Sequence, residues 1–204
     1  SWCWSEKFFS YFDDYPVIAL NWRGTGGTPA VEGVKKVKVA EHVADLDAFL
    51  DQILPQLVKV SGKPVVICHS FGGIALMKYL ESHGCDRFRG IVTMCSVPPS
   101  GNGKMTSRFL QRSLIVSWKL TAGFALKRCI QNPVLCRELF FGGPKEDLNG
   151  TTQDYGVSDE DITRYQRNFE RDSAATIDLI DLGKQLPSSV TVSGKAPFVR
   201  ELPP

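Results

Sequence analysis

The segment that best indicates the architecture of this chain reads Pro64-Val-Val-Ile-Cys-His-Ser70-Phe-Gly-Gly73. A short apolar run ends in a serine turn, and an apolar, helix-forming run follows over residues 74–80. The pattern predicts a strand, a sharp turn with Ser70 at its apex, and a helix. Such a turn lifts the serine hydroxyl clear of the sheet and leaves the backbone N–H of Phe71 at the start of a helix.

The same turn is where we expect chemistry. A serine nucleophile at such a turn is typical of the pattern Gly-x-Ser-x-Gly, and here the residues read Cys68-His-Ser-Phe-Gly72, with a compact cysteine in the first position. We interpret Ser70 as a nucleophile and the N–H of Phe71 as an oxyanion donor. The rim and neck of the turn are assigned to His69, Gly72 and Gly73. The alternative is a tight packing turn without chemistry.

Apolar and helical patterns alternate along the rest of the chain. Helices are predicted at residues 6–12, 39–59 and 73–83, and strands at residues 16–22, 64–68, 88–95 and 190–193. This alternation implies βαβ units and an α/β fold, with a mostly parallel sheet flanked by helices. Ligands gather at the carboxyl ends of strands in such sheets, and Ser70 lies at one of those ends.

Composition and charge argue against two classes of protein, those that bind nucleic acid and those that span a membrane. The chain has 204 residues, 43% of them hydrophobic, which is enough for one domain with a core. A formal charge of +2 predicts no nucleic-acid partner. No apolar run approaches the ~20 residues of a membrane span, so no integral membrane segment is expected.

The six cysteines are scattered and include no Cys-x-x-Cys pair, so we predict no metal site, no redox motif and no cofactor. Free thiols in apolar runs favour a reducing compartment. The start of the chain, Ser1-Trp-Cys-Trp, does not have the pattern of a signal peptide. A cytoplasmic or organellar location is therefore favoured.

Three blocks of the sequence point to one family. Residues 21–28, Asn-Trp-Arg-Gly-Thr-Gly-Gly-Thr, match the turn D-x-R-G-x-G-x-S with Asn21 in place of Asp, which we interpret as a change in turn hydrogen bonding. Residues 42–46 match the helix that follows, and residues 69–73 match the nucleophile elbow. Together they resemble an α/β-hydrolase of the AB hydrolase-1 type over most of the chain.

The resemblance implies a serine hydrolase and an incomplete α/β-hydrolase fold. In this family Ser70 would attack a carbonyl carbon, a histidine would take the serine proton, and an aspartate would orient that histidine. The acid and the histidine should follow Ser70 along the chain. The sequence has neither of them at the expected places.

The histidines and acidic residues of this chain suggest other roles. His42 is interpreted as a helix-surface residue, His69 as part of the pocket rim, and His83 as a residue at the C-terminal end of a helix. Glu201 is the one carboxylate after residue 194 and is a weak candidate for the acid. The remaining acids near it, Asp178 and Asp181, are interpreted as solvated helix surface.

The missing catalytic histidine and acid lead to an expectation about how much of the domain this chain contains. We expect residues 1–204 to form a single α/β-hydrolase domain that lacks both ends, because the losses fall at the termini and the interior pattern is intact. The chain as given is then expected to be inactive. One alternative is a natural pseudoenzyme that binds a small apolar ligand, and another is a scaffold in which Ser70 is only a turn residue.

Residues 98–182 are predicted to form a helical lid or cap insert. Apolar residues over 109–126, with a basic side of Arg108, Arg112 and Lys119, predict a lid helix. A loop is predicted at residues 142–150, and a second helix at residues 159–182. The basic side also permits weak contact with an anionic lipid surface. An apolar lid suggests a small-molecule substrate that is an apolar ester or a lipid-like acyl compound, with an amide or a thioester as alternatives. Ser70 argues against an epoxide, because epoxide hydrolases usually have an aspartate at this turn.

Overall fold

The structure, a computed structural model, describes residues 2–57, 62–96, 115, 118, 123, 128–141, 145–146, 152–153, 157–171 and 176–185. Its α-helices are α1 Trp2–Lys7, α2 Val39–Ala48, α3 Leu54–Leu57, α4 Phe71–His83, α5 Pro133–Phe140, α6 Asp159–Glu170 and α7 Leu179–Gln185. Its strands are β1 Lys36–Val37, β2 Val65–His69, β3 Gly90–Met94, β4 Lys145–Glu146, β5 Thr152–Gln153 and β6 Thr176–Ile177. A π-helical turn, Phe49–Ile53, joins α2 to α3, and 3₁₀ turns lie at Phe9–Tyr11 and Arg128–Ile130.

The centre of the fold is the unit β2–α4–β3. Strands β2 and β3 are parallel, with Val65 opposite Gly90 and His69 opposite Met94. Helix α4 connects them, and helix α2 packs against α4. The core between these elements consists of Leu46, Cys68, Leu76, Tyr79 and Phe88. The predicted strands at 64–68 and 88–95 and the predicted helix at 73–83 are confirmed, and the helix begins two residues earlier, at Phe71.

The predicted strand at residues 16–22 is wrong. These residues belong to no strand, and Val17 and Ile18 are each 38% exposed. An apolar run becomes a strand only when a neighbour satisfies its backbone N–H and C=O groups. No strand of the described part of the chain lies beside it. The predicted helix at 6–12 starts earlier, at Trp2, and ends as a 3₁₀ turn.

The predicted long helix at 159–182 is also wrong, because helix α6 ends at Glu170. Strand β6 follows and pairs in parallel with β1, and helix α7 comes after it. The prediction that Asp178 and Asp181 form solvated helix surface is corrected by their hydrogen bonds. Asp178 accepts the N–H groups of Ile180 and Asp181 at the start of α7, and these bonds lower the pKa of its carboxyl. Asp181 accepts the Val39 N–H at 2.8 Å and so joins α7 to α2.

Helices α5 and α6 form a second packed unit around Cys129, Cys136 and Ile162. Asn132 caps the N-terminus of α5, and Ser158 caps that of α6. Helix α1 packs on α6 through stacking of Trp2 on Tyr165 at 5.2 Å and an ion pair between Glu6 and Arg164 at 2.6 Å. That unit falls inside the predicted lid, 98–182, whose extent and role stay a prediction.

Several predictions lie outside the described residues. These are the strand at 190–193, Glu201, the basic side chains Arg108, Arg112 and Lys119, and most of the loop at 142–150. Of the predicted lid helix over 109–126, the structure describes Ile115, Trp118 and Gly123; all three are helical, the first two are exposed and Gly123 is buried. Among the described helices, none is both long enough and apolar enough to cross a membrane.

Candidate active site

Ser70 sits at the apex of a sharp turn between β2 and α4. Its backbone has φ 51° and ψ −119°, a conformation that residues other than glycine rarely adopt. Hydrogen bonds to other described residues hold it there. The Ser70 N–H donates to the Met94 carbonyl at 3.1 Å, and the Ser70 carbonyl accepts the Gly73 N–H at 3.1 Å and the Ser96 hydroxyl at 2.9 Å. Ser70 is exposed at this apex.

Helix α4, which follows the turn, passes very close to Ser96. Phe71 is the first residue of α4, so its N–H has no carbonyl partner one helical turn earlier. A Cβ at position 73 would lie 2.6 Å from Ser96 Cβ, so only glycine fits there. A Cβ at position 72 would meet Cys68 Cβ at 3.6 Å, which is ordinary contact.

Cys68, which stands where the expected pattern has glycine, packs beneath the turn as a small apolar residue. It is 8% exposed, and its thiol donates to the Val92 carbonyl at 3.5 Å. Burial raises the pKa of this thiol to about 11, so it stays protonated. The cysteine therefore serves packing rather than reactivity.

The glycine turn at residues 21–28 lies beside the serine turn. The Asn21 side-chain amide donates to the Gly26 carbonyl at 3.2 Å, in keeping with a turn hydrogen bond in place of the expected Asp. The Arg23 guanidinium makes a two-pronged ion pair with Asp45 of α2, with Nε 2.6 Å from Oδ2. It also pairs with Glu41 at 3.3 Å. The turn is thus fastened to α2, whose buried face packs under α4.

His42 corrects the sequence prediction most clearly, because it is 1% exposed and does not lie on the helix surface. Its ring packs between two aromatic rings, with centroids 5.1 Å from Trp22 and 5.1 Å from Phe71 and nearly perpendicular ring planes. Neither ring nitrogen has a hydrogen-bond partner among the described residues. Burial lowers the pKa of His42, since the charged form would lose its hydration.

The other histidines lie at the two ends of the β2–α4 unit. His69 is the last residue of β2 and is exposed next to the turn. His83 is the last residue of α4, as predicted, and Gly84 follows with φ 71°. Its ring stacks on Tyr79 at 4.4 Å and contacts the Ser82 hydroxyl at 2.8 Å. His83 is therefore at the far end of the helix from Ser70.

The structure thus brings Ser70, Phe71, His69, Gly72 and Gly73 together at one turn. Sequence reasoning did not identify two further residues, namely Trp22 and His42, as parts of the same site, and it gave Ser96 a place at the carboxyl end of a strand without a role. Trp22 and His42 stand inside the recognised blocks, and Ser96 follows a predicted strand at its carboxyl end, so their positions carried a signal. No group of three or more metal-ligating side chains occurs among the described residues.

Comparison with known proteins finds a family. A family model described as "Alpha/beta hydrolase family" matches residues 1–202. No curated protein and no solved structure matches the chain.

Proposed function

The chain belongs to the alpha/beta hydrolase family, and from that premise we propose that it is a serine hydrolase in which Ser70 attacks the carbonyl carbon of an ester. The observation that carries the proposal is the positive φ of Ser70 at a strand-to-helix turn. A residue held in such a conformation costs of order 1–3 kcal/mol and persists only where the surroundings determine it. Here the hydrogen bonds with Met94, Gly73 and Ser96 hold the Ser70 backbone in that conformation.

The reaction follows from the positions of two groups. The Ser70 Oγ attacks the carbonyl carbon, its proton passes to a general base, and the carbonyl oxygen gains negative charge. The Phe71 N–H, at the positive end of helix α4, is positioned to donate to that oxygen. The ester C–O bond then breaks, the alcohol leaves with a proton, and water releases the acyl group from Ser70.

An apolar ester or lipid-like acyl compound is the proposed substrate class. The aromatic rings of Trp22 and Phe71 lie 6.0 Å apart beside the serine turn and are half-buried, which supports an apolar binding surface. The apolar composition of residues 98–182, proposed to form the lid, supports the same class. Weak contact of this lid with a lipid surface remains part of the proposal.

Covalent labelling with a fluorophosphonate tests the proposal. The natural protein that contains this chain is treated with the probe, and mass spectrometry locates the modified peptide. We expect labelling of Ser70 in the unchanged protein and in a Ser82→Ala control, because Ser82 is exposed near the far end of the same helix. Ser70→Ala should remove the label. Labelling that persists in this variant, or none in the folded protein, contradicts a serine nucleophile at position 70.

A second function, binding of a small apolar ligand without catalysis, is favoured by the histidines described above. The His42 ring nitrogens are buried without a partner among the described residues, and His83 contacts Ser82. Neither of these rings therefore takes a proton from Ser70. An apolar fluorescent ester analogue that binds saturably to the unchanged protein and equally to Ser70→Ala, without turnover or labelling, would support this function.

A further inference from the structure

The burial of His42 has an energetic cost that an apolar residue would avoid. The side chain is 1% exposed, and neither of its ring nitrogens has a hydrogen-bond partner among the described residues. A buried polar group left without a partner costs about 1–3 kcal/mol. A position that keeps such a group in an otherwise aromatic setting is a candidate for a functional role.

The contacts of His42 lead directly to the serine turn. Its ring meets the Phe71 ring at 5.1 Å with an interplanar angle of 76°, and it meets Trp22 at the same distance at 78°. Trp22 in turn lies 6.0 Å from Phe71. The three rings therefore pack edge to face, a favoured arrangement worth ≈ 0.5–1.5 kcal/mol for a pair. The Phe71 ring is held on two sides, and its backbone N–H is the proposed oxyanion donor.

The charges around His42 come from the elements that pack against it. The glycine turn presents Arg23, and the histidine's own helix presents Glu41 and Asp45, which pair with Arg23. Helix α7 meets α2 at its start, where Asp181 accepts the Val39 N–H. Helix α4 presents the uncharged ring of Phe71. Burial is the largest influence and favours the neutral imidazole.

We propose that His42 is a positioning residue for the oxyanion donor: the neutral imidazole holds the Phe71 ring, and through it the Phe71 N–H, against the serine turn. Protonation places a charge between two aromatic rings, where the described residues offer no acceptor for its two N–H groups, so the packing against Phe71 is lost. The enzyme then loses activity in acid through His42 as well as through its general base. This inference rests on the proposed function.

Two variants separate packing from titration. His42→Phe keeps an aromatic ring and removes the titrating group, whereas His42→Ala leaves a gap beside Phe71. Activity is measured as ester turnover by the natural protein, normalised to active sites counted with the fluorophosphonate, so that unfolded molecules do not contribute. For His42→Ala we expect kcat to fall about 10-fold with KM nearly unchanged, since removal of an oxyanion donor itself costs ~10²–10³ in kcat.

The pH profile supplies a readout that a structural role would not change. Where His42 titrates in acid, log(kcat/KM) of the unchanged protein should rise with a slope greater than 1, because protonation of His42 adds a loss of up to about tenfold to the loss caused by protonation of the general base. In His42→Phe the slope should be 1 throughout this range, because the titrating imidazole is gone. Equal slopes in the two proteins, or an unchanged kcat per site in His42→Ala, would overturn the proposal.

The result for Ser70 keeps the two proposals distinguishable. If Ser70→Ala abolishes labelling while both His42 variants keep the rate and profile of the unchanged protein, only the positioning role fails. If labelling persists in Ser70→Ala, the serine nucleophile fails first. If His42→Ala does not fold, the slope of His42→Phe still decides the matter.

Discussion

Replacement of Gly73 by alanine tests how closely helix α4 approaches the serine turn. The new Cβ would lie 2.6 Å from Ser96 Cβ, far inside van der Waals contact. Ser96 would have to move, and its hydroxyl would lose the 2.9 Å hydrogen bond to the Ser70 carbonyl. The substitution therefore affects both packing and the support of the strained serine.

The magnitude follows from three contributions. Overpacking costs roughly 1–3 kcal/mol, and loss of the hydrogen bond costs about 0.5–1.5 kcal/mol. The greater helix propensity of alanine returns up to about 1 kcal/mol. We expect a net loss of about 2 kcal/mol in the free energy of unfolding, which lowers the Tm of a domain of this size by roughly 4–8 °C.

Gly72→Ala is the matched control, measured by the same thermal and urea unfolding. Its Cβ would meet Cys68 Cβ at 3.6 Å, an ordinary contact, so stability should be unchanged or higher by up to about 1 kcal/mol. Ser96→Gly in the Gly73→Ala background removes the obstructing side chain and should recover part of the loss. A Gly73→Ala protein as stable as Gly72→Ala would refute the close approach of α4 to Ser96.

Three further predictions concern charge and protonation. Asp45→Asn removes the half-exposed ion pair with Arg23 and should lower the free energy of unfolding by about 1 kcal/mol or less, measured by urea unfolding, with a smaller loss in 1 M NaCl. Stability should fall as the pH drops below the ordinary His pKa of 6.5, because burial lowers the pKa of His42 and the unfolded chain binds the proton first; the slope is at most about 1.4 kcal/mol per pH unit. At pH 8 a thiol reagent should modify exposed Cys95 and spare buried Cys68, whose pKa is about 11, with the sites read by mass spectrometry.

Each of these has a control. Glu81→Gln breaks the exposed pair with Lys78 and should change stability by less than about 0.5 kcal/mol. His42→Phe should reduce the loss of stability between pH 6.5 and pH 5, and an unchanged loss would contradict a neutral buried His42. Unfolding in urea should make all six thiols reactive, and rapid modification of Cys68 in the folded protein would contradict its burial.

Much of the fold is predictable from local sequence patterns. An apolar run followed by a serine, two glycines and an apolar helix-forming run predicts β2, the turn at Ser70 and α4, because strand, turn and helix each depend on neighbouring residues. The stripe of apolar residues after Val39 predicts α2 for the same reason. The position of Ser70 at the carboxyl end of a parallel strand follows from the order of the elements.

The predictions that fail depend on residues distant along the chain. An apolar composition at 16–22 favours a strand, but a strand needs a partner, and the described residues supply none there. Asp178 and Asp181 have the pattern of a helix surface. Their contacts with the start of α7 and with Val39 arise only because β6 pairs with β1 and brings α7 to α2.

His42 shows most clearly the boundary between sequence pattern and tertiary structure. Helical periodicity places it on α2 but does not say what lies opposite. Its burial results from the meeting of Trp22, α2 and Phe71, three segments that are separated in sequence and join only in the folded chain. Local chemistry therefore predicts the serine turn, whereas the aromatic packing that supports it is decided by tertiary structure, since burial is a property of several segments together.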